Sequence, residues 1–268
     1  MNKVRYEEML PHEIVAARQA KAVAYLPLGT LEWHGEHNAV GLDGVKAHEL
    51  CIRAARQGGG LAMPPLFWGE NREISVHDAT HDPEGKIARQ MKLARENMAP
   101  GFMGGTSVDY GQLLLHICYQ LKSLGFRVIF MMCGHYPLSR PARESAQRFM
   151  AENPEMGIYA GEENEAVRDG LSGQEREECL RADGDHHAGR WETAIMMNLR
   201  PELVDMGMLS EDKSVPITSV VDPEAGVVVA HDPRCDDLEE YGRKITPAIV
   251  RAMIAITDGM LDQLGLSQ

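Results

Sequence analysis

The stretch that decides the fold is Ala22-Val23-Ala24-Tyr25-Leu26-Pro27-Leu28-Gly29, an apolar run that ends in glycine. A short apolar run of this kind is typical of a strand that is buried on both faces, as in a parallel sheet. Glu32-Trp33-His34-Gly35-Glu36-His37 follows directly, and Asp43 comes six residues later. Ligands of open α/β sheets bind beyond the carboxyl ends of the strands. We therefore expect these acids and histidines to line a binding site.

The residue types after this strand favour a metal site. Glu32 and His34 are two positions apart, so in an extended backbone their side chains point the same way. With Asp43 they form a mixed nitrogen and oxygen ligand set, which suits zinc or manganese. The alternative is an ordinary polar loop, because acids and histidines are common at strand ends.

Two further histidine clusters favour the metal site over the ordinary loop. His135 follows a second apolar run, Arg127–Cys133, and is preceded by glycine. The third cluster spans residues 185–193 and contains Asp185, His187 and Glu192. Packing alone does not explain three histidine clusters at strand ends or beside glycines.

Strand patterns alternate with helical patterns along the chain, which predicts a three-layer α/β/α sandwich around a mostly parallel sheet. The length of 268 residues fits a single domain over residues 1–268. The predicted strands cover 22–29, 61–66, 127–133 and 157–160. The predicted helices cover 11–19, 45–57, 86–97, 110–124, 140–151, 193–198 and 236–264, the last perturbed at Pro247.

Composition excludes some partners. The formal net charge is −13, which argues against nucleic acid because phosphate binding needs a basic surface. The acidic stretches 162–165 and 175–178 are interpreted as solvated faces. No apolar stretch approaches the roughly 18 residues of a membrane-spanning helix, and the N-terminus lacks an apolar signal core. Five cysteines without paired spacing indicate free thiols, so we expect a cytoplasmic protein.

Four motifs occur in the order that characterises a known family. They are residues 26–37 with Leu42-Asp43, Gly104-Gly105-Thr106-Ser107, Gly134-His135-Tyr136, and His187-Ala188-Gly189 through Glu192-Thr193. Together they resemble the motifs of the creatininase family, which comprises creatinine amidohydrolase and its relatives. The resemblance is specific for the family and much less so for the substrate, since the family contains several hydrolases.

The resemblance implies a ligand set. By position, Glu32, His34, Asp43 and His135 match metal ligands of the family, with Asp43 bridging two ions. Creatinine-hydrolysing members carry a metal-binding glutamate two residues after the Gly-His histidine, where this chain has Pro137. We expect Glu192 to supply the missing carboxylate. The implied cofactor is one or two divalent ions per chain, Zn²⁺ or Mn²⁺, with Fe²⁺ as a further option.

The expected activity is metal-dependent amidohydrolysis of a small (cyclic) amide or formamide. A metal-bound hydroxide attacks the carbonyl carbon, and the C–N bond breaks as the leaving nitrogen is protonated. His187 is the candidate for proton transfer, since an imidazole suits acid–base chemistry near neutrality, and Asp185 is expected to orient it. The alternative for His187 is a histidine that only hydrogen-bonds to the loop. The alternative is a non-catalytic homologue that binds a small ligand with reduced metal occupancy, which Pro137 favours. Creatinine is not the expected substrate, because residues 180–185 lack the tryptophan that creatinine-hydrolysing relatives carry there.

Three further expectations concern the surroundings of this site. Residues 68–104 are rich in glycine, acids and histidines, and are expected to be functional or to contact a partner subunit. His77 and His81 have metal-ligand spacing on a helix, and the alternative is an exposed polar loop. The resemblance implies that His77 lines the pocket, because the family often places a histidine before its Gly-Thr-Ser segment. His37 either lines the pocket or supports the first motif. The resemblance implies a homo-oligomer, a hexamer in the family.

Overall fold

The computed structural model of this chain describes residues 3–69, 110–182, 185, 187–213, 217 and 231–266. Its strands are β1 (Val23–Leu28), β2 (Leu61–Ala62), β3 (Val128–Cys133) and β4 (Gly157–Gly161). Its α-helices are α1 (Pro11–Ala20), α2 (Leu42–Gly58), α3 (Tyr110–Ser123), α4 (Ser139–Glu152), α5 (Glu163–Gly170), α6 (Gly173–Cys179), α7 (Arg190–Leu199) and α8 (Leu238–Gln263). No helix within these ranges is long and apolar enough to cross a membrane.

The four strands form one parallel sheet in the order β2-β1-β3-β4. The two central strands are paired along their full length, from Val23 opposite Val128 to Leu28 opposite Cys133. Because β1 and β3 are parallel and in this register, both end at the same edge of the sheet. The polar residues that follow them are therefore brought side by side.

Each face of the sheet contributes to a separate core, because side chains alternate along a strand. Tyr25, Phe130 and Met132 pack with residues of α2, α7 and α8 on one face. Leu26, Leu28 and Met131 pack with residues of α3 and α4 on the other. All residues of β1 and β3 are buried. The predicted three-layer sandwich is thus confirmed, and the two apolar runs form strands as predicted.

The structure corrects the sequence analysis at two charged positions. Helix α2 begins at Leu42 rather than Val45, so Asp43 lies in the first helical turn and not in a loop. An acidic side chain is favoured there by the helix dipole. Residues 162–165 were expected to form a solvated face, but Glu163 begins helix α5 and is completely buried. It is buried because it has a cationic partner in the core.

Several expectations fall on residues 70–109, which lie outside the described part of the chain. These are the helix predicted over 86–97, the segment Gly104–Ser107, and the two histidines His77 and His81.

Candidate metal centre

Two glycines allow the first turn of α2 to approach the ends of β1 and β3. A Cβ at Gly29 would lie 2.3 Å from the backbone nitrogen of Gly44. A Cβ at Gly134 would lie 2.2 Å from the carbonyl oxygen of Asp43. Both distances are far below any tolerated contact, so only glycine fits at either position. This close backbone approach places the Asp43 side chain between the residues that follow the two strands.

Asp43 presents one carboxylate oxygen to each of two histidines. Its Oδ1 lies 3.1 Å from Nε2 of His34, and its Oδ2 lies 3.2 Å from Nδ1 of His135. A second carboxylate accompanies each histidine. Glu32 Oε2 is 3.1 Å from Nδ1 of His135, and Glu192 Oε2 is 3.8 Å from Nε2 of His34. All five side chains are buried.

The five side chains thus form two triads that share Asp43. One is Glu32, Asp43 and His135, and the other is His34, Asp43 and Glu192; within each, the candidate ligand atoms lie within 4.8 Å of one another. Each triad offers one imidazole nitrogen and two carboxylates, a set suited to zinc, manganese or iron. Three protein ligands leave further positions for water and substrate, as in catalytic sites.

The hydrogen bonds of His34 indicate that a cation fits between its ring and the Asp43 carboxylate. Its Nδ1 lies 3.1 Å from the carbonyl oxygen of Glu32, which can only accept, so we assign the ring proton to Nδ1. The lone pair of Nε2 then faces the Asp43 carboxylate at 3.1 Å. Two acceptors this close need a cation between them, either a proton or a metal ion. For a tetrahedral ion with bonds of about 2.0–2.1 Å, neighbouring ligand atoms lie about 3.3 Å apart, so this spacing fits a metal.

Without a metal, the same groups hold protons strongly. Burial lowers the pKa of His135, but Asp43 and Glu32 outweigh this and raise the pKa to about 9. The pKa of His34 is likewise raised, because Asp43 outweighs burial. Burial raises the pKa of Asp43, yet the two histidines hold that pKa well below its usual range. The centre therefore attracts cations.

Glu192 is fixed at both of its oxygens. Its Oε1 accepts a hydrogen bond from Lys46 Nζ at 2.7 Å, and its Oε2 accepts one from the backbone N–H of Ala188 at 2.8 Å. Ala188 adopts the left-handed backbone conformation with φ of 57°, a strained state for a non-glycine residue. Burial raises the pKa of Glu192, but Lys46 and His34 outweigh it and lower that pKa. Glu192 is therefore an ionised carboxylate directed at the centre.

Lys46 and Glu163 are the buried residues that the sequence analysis missed. Lys46 Nζ lies 3.2 Å from Glu163 Oε1, and both side chains are fully buried. Burial raises the pKa of Glu163 to about 7, although Lys46 opposes the rise. One signal was present in the sequence: Lys46 follows Asp43 by three positions, and residues with this spacing share a helix face.

His187 lies beside His34 and is mostly buried. Its ring is tilted by 37° against that of His34, with centroids 4.2 Å apart. Its Nε2 hydrogen-bonds to the carbonyl oxygen of Trp33, which assigns the ring proton to Nε2. Its Nδ1 is directed toward Glu32 Oε2 at 3.9 Å. This makes His187 either a proton carrier or a third ligand beside Glu32 and His34.

Asp185 does not make the expected hydrogen bond to His187. Its Oδ2 accepts the backbone N–H of Trp191 at 2.9 Å, at the start of α7, and its Oδ1 has no hydrogen-bond partner in the described ranges. Burial raises the pKa of Asp185 to about 6. An acid N-terminal to a helix often binds the first free N–H groups, and this local capping is the contact that the structure shows.

Two other residues that the sequence analysis singled out, His37 and Pro137, lie near the proposed ligands in sequence. His37 is buried, and its Nε2 lies 3.0 Å from Thr193 Oγ1, so it connects the first motif to α7. Burial lowers the pKa of His37 to about 4, which keeps the ring neutral. Pro137 lies in the short 3₁₀ turn Tyr136–Leu138 that follows His135.

Comparison with known proteins gives one family. A family model described as creatininase, creatinine amidohydrolase, matches residues 7–256. A curated creatinine amidohydrolase from Pseudomonas putida is 27% identical over 201 residues, which are 69% of this chain and 66% of the relative. The matched stretch thus spans just under two thirds of that relative.

Solved structures with the same fold carry related names. A crystal structure of creatinine amidohydrolase aligns with a TM-score of 0.69 at 21% identity, covering 98% of this chain and 99% of the other. A creatininase variant of Zn–Zn type gives a TM-score of 0.68 at 21% identity, with 98% and 99% coverage. An Mn form of creatininase gives 0.67 at 22% identity, also with 98% and 99% coverage.

Proposed function

This chain belongs to the creatininase family, and from that premise we propose that it is a metal-dependent amidohydrolase acting on a small amide or formamide. The observation that carries the proposal is the buried Asp43 carboxylate, which faces a histidine and a second carboxylate on each side. Relatives described as Zn–Zn and Mn forms support Zn²⁺ or Mn²⁺ as the cofactor.

The proposed ligands divide between two ions. Glu32, Asp43 and His135 would hold one, and His34, Asp43 and Glu192 the other. When bound, such a pair supplies a water with a pKa of about 7 and polarises the substrate carbonyl. Burial of all five ligands excludes bulk solvent from their side chains and strengthens every charge interaction there.

His187 is the proposed proton carrier. The carbonyl of Trp33 holds the proton on Nε2, so Nδ1 is the nitrogen directed toward Glu32 and the centre. Nδ1 can accept a proton from the attacking water and return it to the leaving nitrogen, which is general base and then general acid catalysis. Asp185 is proposed to act on His187 only through the backbone, by fixing the start of α7.

The proposed substrate carries a polar group beside its amide. Arg181 lies over the ring of Tyr136, with its guanidinium carbon 4.8 Å from the ring centroid. Its Nη1 is buried and has no hydrogen-bond partner within the described part of the chain. Such a donor is costly to bury unless a ligand satisfies it. A carboxylate or formyl oxygen on the substrate would do so.

Creatinine is a poor substrate in this proposal. Residues 180–185 contain no aromatic side chain to stack on a planar ring. Loss of one stacking face costs on the order of 1–3 kcal/mol, by analogy with base–aromatic stacking. Pro137 also changes the catalytic end of the pocket, because its side chain has no donor atom.

The test is a substrate panel with Mn²⁺- or Zn²⁺-loaded protein, comparing small formamides, carboxylated amides and creatinine. We expect hydrolysis of a member of the first two classes, and creatinine turnover with kcat/KM below about 10⁴ M⁻¹s⁻¹. His187→Gln should abolish turnover while the metal content is retained. Efficient creatinine hydrolysis would contradict the substrate assignment, and undiminished activity of H187Q would contradict the role of His187.

The alternative function is a non-catalytic protein that binds a small ligand with reduced metal occupancy. Pro137 favours it, because this chain lacks the glutamate that creatinine-hydrolysing relatives place there. Retention of both triads favours the enzyme. Metal content and turnover distinguish the two, since the binding protein would retain few ions and hydrolyse no member of the panel.

A further inference from the structure

A completely buried ammonium group lies directly behind one of the proposed metal ligands. Lys46 Nζ contacts Glu192 Oε1 at 2.7 Å, Glu163 Oε1 at 3.2 Å and the hydroxyl of Tyr136 at 3.4 Å. Lys46 donates hydrogen bonds to Glu192 and Tyr136, and its contact with Glu163 is an ion pair. Lys46 therefore has a defined position, with no contact to solvent.

Stability alone does not account for this arrangement. A buried ion pair gains little over well-packed apolar residues of similar volume, because removing two charges from water is expensive. What the pair contributes is a directed donor toward Glu192.

The direction of that donor determines which oxygen of Glu192 faces the centre. Lys46 binds Oε1, and the N–H of Ala188 binds Oε2 from the other side. With both oxygens held, Oε2 remains 3.8 Å from Nε2 of His34. Without Lys46, the backbone N–H of Ala188 would be the remaining hydrogen bond to Glu192, and the carboxylate would be free to turn its oxygens away from His34.

We propose that Lys46 is a positioning residue that aims Glu192 Oε2 at His34 and Asp43, with Glu163 balancing its charge. Held in this way, Glu192 supplies the carboxylate that is missing at Pro137. Lys46 lies one turn after Asp43 on α2, so one helix supplies both the shared ligand and the group that orients its neighbour. The inference rests on the proposed function, because it concerns ligands of the proposed second ion.

The decisive variant is K46M/E163Q, which replaces both members of the pair with uncharged side chains of similar size. Metal-free protein would be titrated with Mn²⁺ and with Co²⁺ by calorimetry. We expect the ion at Glu32, Asp43 and His135 to bind within about threefold of wild type. Binding of the second ion should weaken about ten- to a hundredfold, the usual effect of losing an outer-shell partner.

A double-mutant cycle with E192Q tests whether Lys46 affects binding of the second ion through Glu192. If Lys46 acts by positioning that carboxylate, adding K46M/E163Q to E192Q should weaken the second ion no further, since coupled residues are non-additive. K21M is the matched control, because Lys21 forms an ion pair with Asp258 at the opposite end of β1. K21M should leave both affinities unchanged.

Folding of each variant is checked by circular dichroism and thermal unfolding. Should K46M/E163Q not fold, K46M/E163L replaces the pair with apolar side chains, a change that is often neutral for stability. Wild-type affinity for both ions in the folded variant would overturn the inference, as would equal weakening of both ions or an additive effect in the E192Q background. Absence of metal binding by wild type would instead contradict the proposed function.

Discussion

At the scale of single residues, Asp43 connects the two halves of the candidate centre. Asp43→Ala is expected to abolish the binding of both ions and all hydrolysis, because one carboxylate is shared between the triads. Two divalent ions without the bridging charge would also repel each other. Metal analysis by mass spectrometry measures the effect, with Asp258→Ala, far from the centre, as the control. The proposed bridging role fails if D43A retains two metals per chain.

Asp185 gives a prediction about pH. Burial raises its pKa from 3.8 to about 6 in the folded protein, so the folded state holds a proton that the unfolded state has released. Stability therefore falls as the pH rises from about 4 to about 6, and the loss is complete above that range. Asp185→Asn removes this dependence. In metal-free protein it should be more stable than wild type at pH 7 by up to about 3 kcal/mol.

The measurement for Asp185 is urea unfolding of wild type and D185N at pH 3.5 and pH 7. We expect equal stability of the two proteins at the lower pH and a gain for D185N at the higher pH. A variant that is less stable than wild type at pH 7 would show that the charge on Asp185 contributes more as a cap of α7 than burial costs.

Residue types at strand ends were predictable, and buried charges were not. Glu32, His34 and His135 could be grouped from sequence because each follows an apolar run, and parallel strands end at one edge. For Lys46 the sequence offers only its spacing of three positions from Asp43, because its partner Glu192 is 146 positions away. Whether a lysine is buried depends on partners that only the folded chain brings together.

At the scale of elements, the centre depends on how closely α2 approaches the sheet. Gly134→Ala would place a Cβ 2.2 Å from the carbonyl oxygen of Asp43, which forces the first turn of α2 outward. We expect a loss of about 1–3 kcal/mol in the free energy of unfolding, as for other overpacked sites. Metal binding should weaken as well, because Asp43 moves with the turn.

Gly259→Ala is the matched control for Gly134→Ala. Gly259 lies in α8, and a Cβ there meets nothing within 4 Å. Alanine is favoured over glycine in a helix by up to about 1 kcal/mol, so G259A should be neutral or stabilising. Chemical denaturation of both variants and metal titration of both complete the comparison. Unchanged metal affinity in a folded G134A would show that the position of Asp43 does not depend on this close approach.

Elements with strong apolar patterns were predicted well, and charged elements were not. Strands β1 and β3 differ from their predicted bounds by one or two residues, because their apolar runs coincide with the buried sheet. Helices α5 and α6 were not predicted, since Glu162–Glu165 and Glu175–Glu178 show little apolar periodicity. Helix α5 is stabilised by packing against α8 and by Lys46, and neither effect is visible locally in the sequence.

At the scale of the whole molecule, the resemblance drawn from four ordered motifs is confirmed by the family match over residues 7–256. A single domain over residues 1–268 and a homo-oligomer remain predictions. We expect a hexamer, as the family resemblance implies. Light scattering at micromolar concentration measures the mass, and a monomer would contradict the prediction.

The central claim is that one buried cluster of five ligands makes this chain a metal-dependent enzyme. The most direct test is the metal content of the protein after purification without chelators or added metal. We expect about two divalent ions per chain, zinc or manganese, as in two-metal hydrolytic sites. These ions should be lost from D43A and retained in D258A. A wild-type protein that holds no divalent metal, and binds none when Zn²⁺ or Mn²⁺ is supplied, would contradict the central claim.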